Sequence, residues 1–201
     1  MGRENVRKRL SSLEGELGRT TYERGVVRID TGTGTLVVRP PFGLAHEGEY
    51  DTVHLSPLFD ALAADYVVAA VLVRLGGYAV GVFDGEQLVA SKVGSRFVKG
   101  RHKKGGMSSN RFRRRREQQV RVLADAAAAT TADLLGPWRD RVEFVAFGGD
   151  RRAVDDVLGA SPQLDWLADR SIPRFFTVPD PRLRVLEELP YDLYAAELST
   201  E

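Results

Sequence analysis

The chain has 201 residues, 43% of them hydrophobic and 28% charged, with a formal net charge of +1 and no cysteine. That length suits one domain or a compact pair, and the composition is that of an ordinary globular protein. The lack of cysteine excludes a disulfide framework, a thiolate metal site and a cysteine nucleophile, and three scattered histidines (His46, His54, His102) make a poor catalytic zinc site.

The opening residues 1–9 are charged and lack the apolar stretch of a signal peptide. The longest apolar run, 66–75, contains Arg74 and has about half the length a membrane span needs. A cytoplasmic protein with no membrane partner is expected. Residues 3–17 read as a short charged helix, and 26–29 and 35–39 as two strands about the turn Thr31-Gly32-Thr33-Gly34. Pro40 and Pro41 stop the second strand, and Ser56 and Pro57 open a short helix over 55–64. Residues 1–60 are taken as an N-terminal extension and 61–201 as the main domain.

From Val67 the pattern sharpens. Residues 67–75 form a valine-rich run that reads as a strand buried on both faces. Gly76-Gly77 turns it into 78–83, and Asp84-Gly85 turns that into 87–93, giving three consecutive antiparallel strands. A long helix is predicted over 109–135, capped by one of Ser108, Ser109 and Asn110 and stopped by Gly136-Pro137. Phe112, Val120, Leu123, Ala127 and Leu134 share one face of it at helical spacing. Then come a strand over 142–147, a helix over 152–158, a strand over 174–178, a helix over 183–189 and a last strand over 194–198. The order βββ-α-β-α-β is that of an α/β ribonuclease H-like mixed sheet. Nucleases of that fold need inward carboxylates for two metal ions, yet Arg74 stands in the first strand and 67–83 contains no Asp or Glu. Two-metal cleavage is therefore not expected.

Charge is the strongest signal. Between Gln87 and Arg116 there is no acidic residue, while eleven basic ones fall there: Lys92, Arg96, Lys99, Arg101, Lys103, Lys104, Arg111, Arg113, Arg114, Arg115 and Arg116. The rest of the chain then carries 18 basic against 28 acidic residues. Gly105-Gly106-Met107-Ser108-Ser109-Asn110 lies in the middle of this run. A cationic segment on an otherwise anionic chain, interrupted by glycines, fits a grip on a phosphate backbone. Four adjacent arginines also have a plainer reading as a solvated helix start. Positive charge there opposes the helix dipole at a cost of a few tenths of a kcal/mol or more per residue, which a polyanion would offset. The glycine pair is equally the turn that precedes a helix. His102 reads as an exposed contact rather than a base, and nothing in the sequence assigns Met107 a role. Gly148-Gly149-Asp150-Arg151-Arg152 occupies the place where such sheets bind ligands, but Asp150 reads more simply as a helix cap. Trp138 and Trp166 read as packing residues.

The segment from Gly94-Ser95-Arg96-Phe97-Val98-Lys99-Gly100-Arg101 through Gly105-Gly106-Met107-Ser108-Ser109-Asn110 to Arg111-Phe112-Arg113-Arg114-Arg115-Arg116-Glu117 resembles the catalytic loop and helix of Vms-type release factors, in particular their actinobacterial-type branch. These peptidyl-tRNA hydrolases are relatives of the middle domain of eukaryotic and archaeal class I release factors, itself a ribonuclease H-like variant. The resemblance implies hydrolysis of the peptidyl-tRNA ester on a stalled large ribosomal subunit, with ribosomal RNA and peptidyl-tRNA as partners and no cofactor or metal. It implies a catalytic tip of Gly105, Gly106, Ser109 and Asn110. It also implies RNA contacts through Arg96, Lys99, Arg101, Lys103, Lys104, Arg111, Arg113, Arg114, Arg115 and Arg116. The family's loop glutamine aligns with Ser109, beside Asn110, so it is replaced here. Gln118 and Gln119 lie about nine residues further on, roughly 14 Å along a helix, and cannot substitute. A ribosome- or RNA-binding factor without hydrolysis, and a sequence-independent nucleic-acid binder outside translation, are the alternative readings.

Overall fold

The computed structural model describes residues 1–32, 34–95 and 108–201, giving only the backbone for 108–113. The chain forms two compact units, one of residues 1–65 with 189–201 and one of 66–188.

In the first unit, α1 (Arg3–Leu10) precedes β1 (Leu17–Glu23), β2 (Val26–Thr31), β3 (Gly34–Arg39), β4 (Gly48–Thr52) and α2 (Ser56–Ala63), and β10 (Glu197–Thr200) ends the chain's regular structure. These strands form one antiparallel sheet in the order β10-β3-β2-β1-β4. The predicted helix over 3–17 is too long. It gives way at Leu10 to a short 3-10 turn, and Gly15, at φ 78°, redirects the chain into β1. β1 is a strand because Thr20 and Tyr22 alternate inward and pair with Ile29 and Val27 of β2. Its turn into β2 is carried by Arg24 and Gly25, both at positive φ, as a two-residue hairpin requires. β4 has little apolar patterning to announce it. The core gathers Val6, Leu10, Tyr22, Val27, Ile29, Val38, Val53, Leu55, Leu58 and Leu62. Because β10 bonds to β3, the final residues complete this sheet, although the sequence division had grouped them with residues 61–188.

The second unit has β5 (Val67–Arg74), β6 (Gly77–Asp84), β7 (Gln87–Ser95), α3 (Ser108–Leu135), β8 (Phe144–Gly149), α4 (Arg151–Leu158), α5 (Trp166–Asp169) and β9 (Ser171–Phe176), with α6 (Leu183–Leu193) leading out of it. The sheet order is β7-β6-β5-β8-β9; β6 is antiparallel to both β5 and β7, while β5, β8 and β9 run parallel. β5 is central and buried from Val68 to Val73, which is why it reads as an unbroken apolar run. The strand boundaries shift from those predicted: β8 starts at Phe144, β9 covers 171–176, and α6 runs on to Leu193 with Pro190 inside it. The last strand likewise starts at Glu197 rather than at 194. Trp166 is buried in this unit's core and Trp138 packs against it.

One geometric consequence matters for function. β5, β7, β8 and β9 all point the same way, so Arg74, Ser95, Gly149 and Phe176 end at a common edge of the sheet. The strand from which the basic segment departs and the start of α4 are tied to that carboxyl end.

Candidate nucleic-acid interface

Arg96, Lys99, Arg101, His102, Lys103, Lys104, Gly105, Gly106 and Met107 lie outside the described residues. Ser109, Asn110, Arg111 and Arg113 fall in the first turns of α3, described as backbone only. The helix already includes Ser108.

α3 has 28 residues, so it is about 42 Å long. Its later part is built into the unit: Leu123, Ala124, Ala127, Ala128, Thr131 and Leu135 are buried, whereas none of residues 114–122 is fully so. Of the face predicted at helical spacing, Leu123 and Ala127 are buried and Val120 and Leu134 are half-buried. The small alanines let the helix approach the sheet closely. Near the carboxyl end the hydroxyls of Tyr78 (β6) and Thr130 (α3) lie 2.9 Å apart. The C-terminal end of α3 leads to β8, whose first residue pairs with Val68 at the far end of β5. The residues preceding Leu123 therefore run outward past the sheet's carboxyl end, forming an arm.

Arg114 and Arg115 are exposed on this arm, and neither pairs with a carboxylate among the described residues. Arg116 is half-buried, its Nε shielded from solvent without a hydrogen-bond partner. Consecutive residues on a helix are about 100° apart, so these arginines surround the axis. An ordinary amphipathic helix would bury one of them. Here Arg116, Gln119 and Val120 form a half-buried face, while Arg114 and Arg115 stand on the exposed sides.

The root of the arm is set by Gly94, on β7 just before the basic segment. The Tyr78 ring lies across it; a Cβ at Gly94 would come within 2.3 Å of that ring. This glycine is required by close approach, and it lets Tyr78 reach Thr130. Sequence reading missed this trio, although an isolated glycine in a strand and threonines ending an alanine run were visible signals.

The segment after β8 forms a capped turn. The Asp150 carboxylate accepts from the Ala153 amide at 3.2 Å, and Gly149 sits at φ 101° with its backbone against Val73. Arg74 donates to the Val178 carbonyl at 2.9 Å. The nearest acid on these strands, Asp84, closes β6 at the opposite end, paired with Arg141 at 3.6 Å.

Tyr22 in the first unit is the buried titratable group with the largest displacement. Burial pushes its phenol well above the ordinary tyrosine range, and the hydroxyl donates to the His54 carbonyl at 2.6 Å. Tyr50 stands between the two nearby histidines, 2.9 Å from His46 Nε2 and with its ring 4.2 Å from that of His54.

Comparison with known proteins gives one family. The model described as the Actinobacteria/chloroflexi VLRF1 release factor matches residues 66–199, two thirds of the chain. No curated protein matches. Among solved structures, an archaeal translation termination factor, aRF1, is 14% identical with a TM-score of 0.49, covering 96% of this chain and 73% of its own. A structure described as an archaeal protein is 18% identical with a TM-score of 0.44; 95% of this chain covers 55% of it.

Proposed function

The chain belongs to the Actinobacteria/chloroflexi VLRF1 release factor family, and on that premise we propose that it is a cytoplasmic, ribosome-associated peptidyl-tRNA hydrolase freeing nascent chains from stalled large subunits. The observation that carries this reading is the arm: a helix with no fully buried residue over 114–122, whose exposed Arg114 and Arg115 pair with no carboxylate among the described residues, next to a segment without acids. We read the sheet order β7-β6-β5-β8-β9 as ribonuclease H-like, with its metal-binding acids absent because β5 and β6 supply none between Val67 and Phe83.

In this reading Arg96, Lys99, Arg101, Lys103, Lys104, Arg111, Arg113, Arg114, Arg115 and Arg116 neutralise phosphates of ribosomal RNA or tRNA. Gly105 and Gly106 allow backbone to come close to the ester, because a larger side chain would hold it away. Water adds to the ester carbonyl, the bond to the tRNA ribose oxygen breaks, and that oxygen leaves with a proton. Backbone amides, with Ser109 and Asn110, orient the water and donate hydrogen bonds to the developing oxyanion. No metal or organic cofactor is assigned a step.

One observation favours a second reading. Ser109 and Asn110 occupy the place of the glutamine expected from the resemblance, and Asn110 keeps the amide on a shorter side chain. Loss of that glutamine fits a factor that binds ribosomes without hydrolysis. Release of peptide from purified large subunits carrying peptidyl-tRNA decides between them. Wild-type protein should release peptide, Gly106→Pro should not, and Ser109→Ala/Asn110→Ala should be slower. Binding without release by the wild type establishes the second reading.

A further inference from the structure

We propose that Arg74, Arg151 and Arg152, at the carboxyl end of the second unit's sheet, form a further contact for an RNA phosphate backbone at the root of the arm. This rests on the reading above that the partner is RNA, and it extends the cationic surface to residues outside the basic segment.

Two of the three are held in place. Arg74 closes β5, is fixed by its bond to the Val178 carbonyl at 2.9 Å, and crosses the turn at Gly149, where an added Cβ would lie 3.0 Å from its Cγ. Arg151 sets its guanidinium carbon over the Phe175 ring, 4.2 Å from the centroid. The cation–π contact holds the group against the ring and leaves its N–H groups without a carboxylate partner among the described residues. Arg152 is exposed beside it in the first turn of α4.

None of the three pairs with a carboxylate among the described residues, in contrast to Arg141, which pairs with Asp84 at the opposite end. Cations in the first turn of a helix oppose its dipole, and α4 has no acidic residue there. Asp150 engages the Ala153 amide, so guanidinium groups rather than bare helix amides would receive the anion. They are spread over a strand end and a helix start, an arrangement suited to an extended polyanion rather than to one small phosphate. Ser95, from which the basic segment departs, ends at the same edge.

The test is binding of the full chain to purified large ribosomal subunits across a salt series. Each phosphate contact contributes about 0.7 to 0.9 to the log–log salt slope. Arg74→Gln/Arg151→Gln/Arg152→Gln should lower the slope by about 2, and Arg151→Lys/Arg152→Lys should keep it. Because Arg74 also holds Val178, the double variant Arg151→Gln/Arg152→Gln, with a slope loss of about 1.5, decides if the triple variant does not fold. An unchanged slope in these variants, with a reduced one in Arg114→Gln/Arg115→Gln, overturns the proposal. If the wild type does not bind subunits at all, the RNA reading itself fails and this one with it.

Discussion

The hydroxyl of Tyr78 lies 2.9 Å from that of Thr130, joining the sheet's carboxyl end to α3 seven residues after the buried Leu123. The contact exists because Gly94 leaves room for the Tyr78 ring across β7. Tyr78→Phe should cost about 1 kcal/mol, the net worth of one hydrogen bond. Gly94→Ala forces the ring aside and should cost more, on the order of 1–3 kcal/mol. Thermal unfolding of both variants checks the ranking; an equal or smaller loss for Gly94→Ala contradicts the packing described.

Arg114 and Arg115 should matter for binding and little for folding. Arg114→Gln/Arg115→Gln is expected to change stability by no more than about 0.5 kcal/mol, as for surface positions. Its affinity for large subunits should fall, with a salt slope lower by about 1 to 2. Denaturant unfolding alongside the binding series separates the effects. A marked loss of stability would mean the arm is packed after all.

The turn before α4 makes a graded prediction. Asp150→Ala removes the cap of the Ala153 amide and should cost about 1 kcal/mol. Gly149→Ala should cost more, because φ is 101° and the new methyl would meet the Val73 carbonyl at 2.1 Å. Chemical denaturation midpoints order the two.

Tyr22 predicts alkaline sensitivity. Its folded phenol binds its proton more tightly than the unfolded one, because burial disfavours the phenolate. That contribution is fully present below the unfolded value of about 10 and is lost as pH rises above it. Stability should fall above about pH 10 more steeply in the wild type than in Tyr22→Phe. Parallel curves for the two proteins would remove the phenol from the account.

Local pattern determined much of the second unit. A valine run, two glycine-bearing turns and a capped, glycine-stopped helix are short-range signals, so the succession β5, β6, β7, α3, β8, α4, β9 was legible in order. The concentration of charge near α3 was equally plain, since it needs only a count along the chain. The first unit was less legible. β4 has one inward residue in reach of its pairing, Tyr50, and no pattern of its own, while β10, expected over 194–198, starts at Glu197 where β3 offers it a ladder. Distances along the sequence likewise concealed which groups meet. Tyr78 and Thr130 are 52 residues apart, Arg74 and Val178 are 104 apart, and only the parallel run of β5 and β8 puts Arg74 beside Gly149. The sequence by itself determined the strand and long-helix succession of the second unit and where the cations lie along the chain, because both depend on neighbouring residues. The tertiary structure alone decided that no residue of 114–122 is fully buried and that Arg74 and Arg151 share one edge, because burial and proximity depend on strand order and direction.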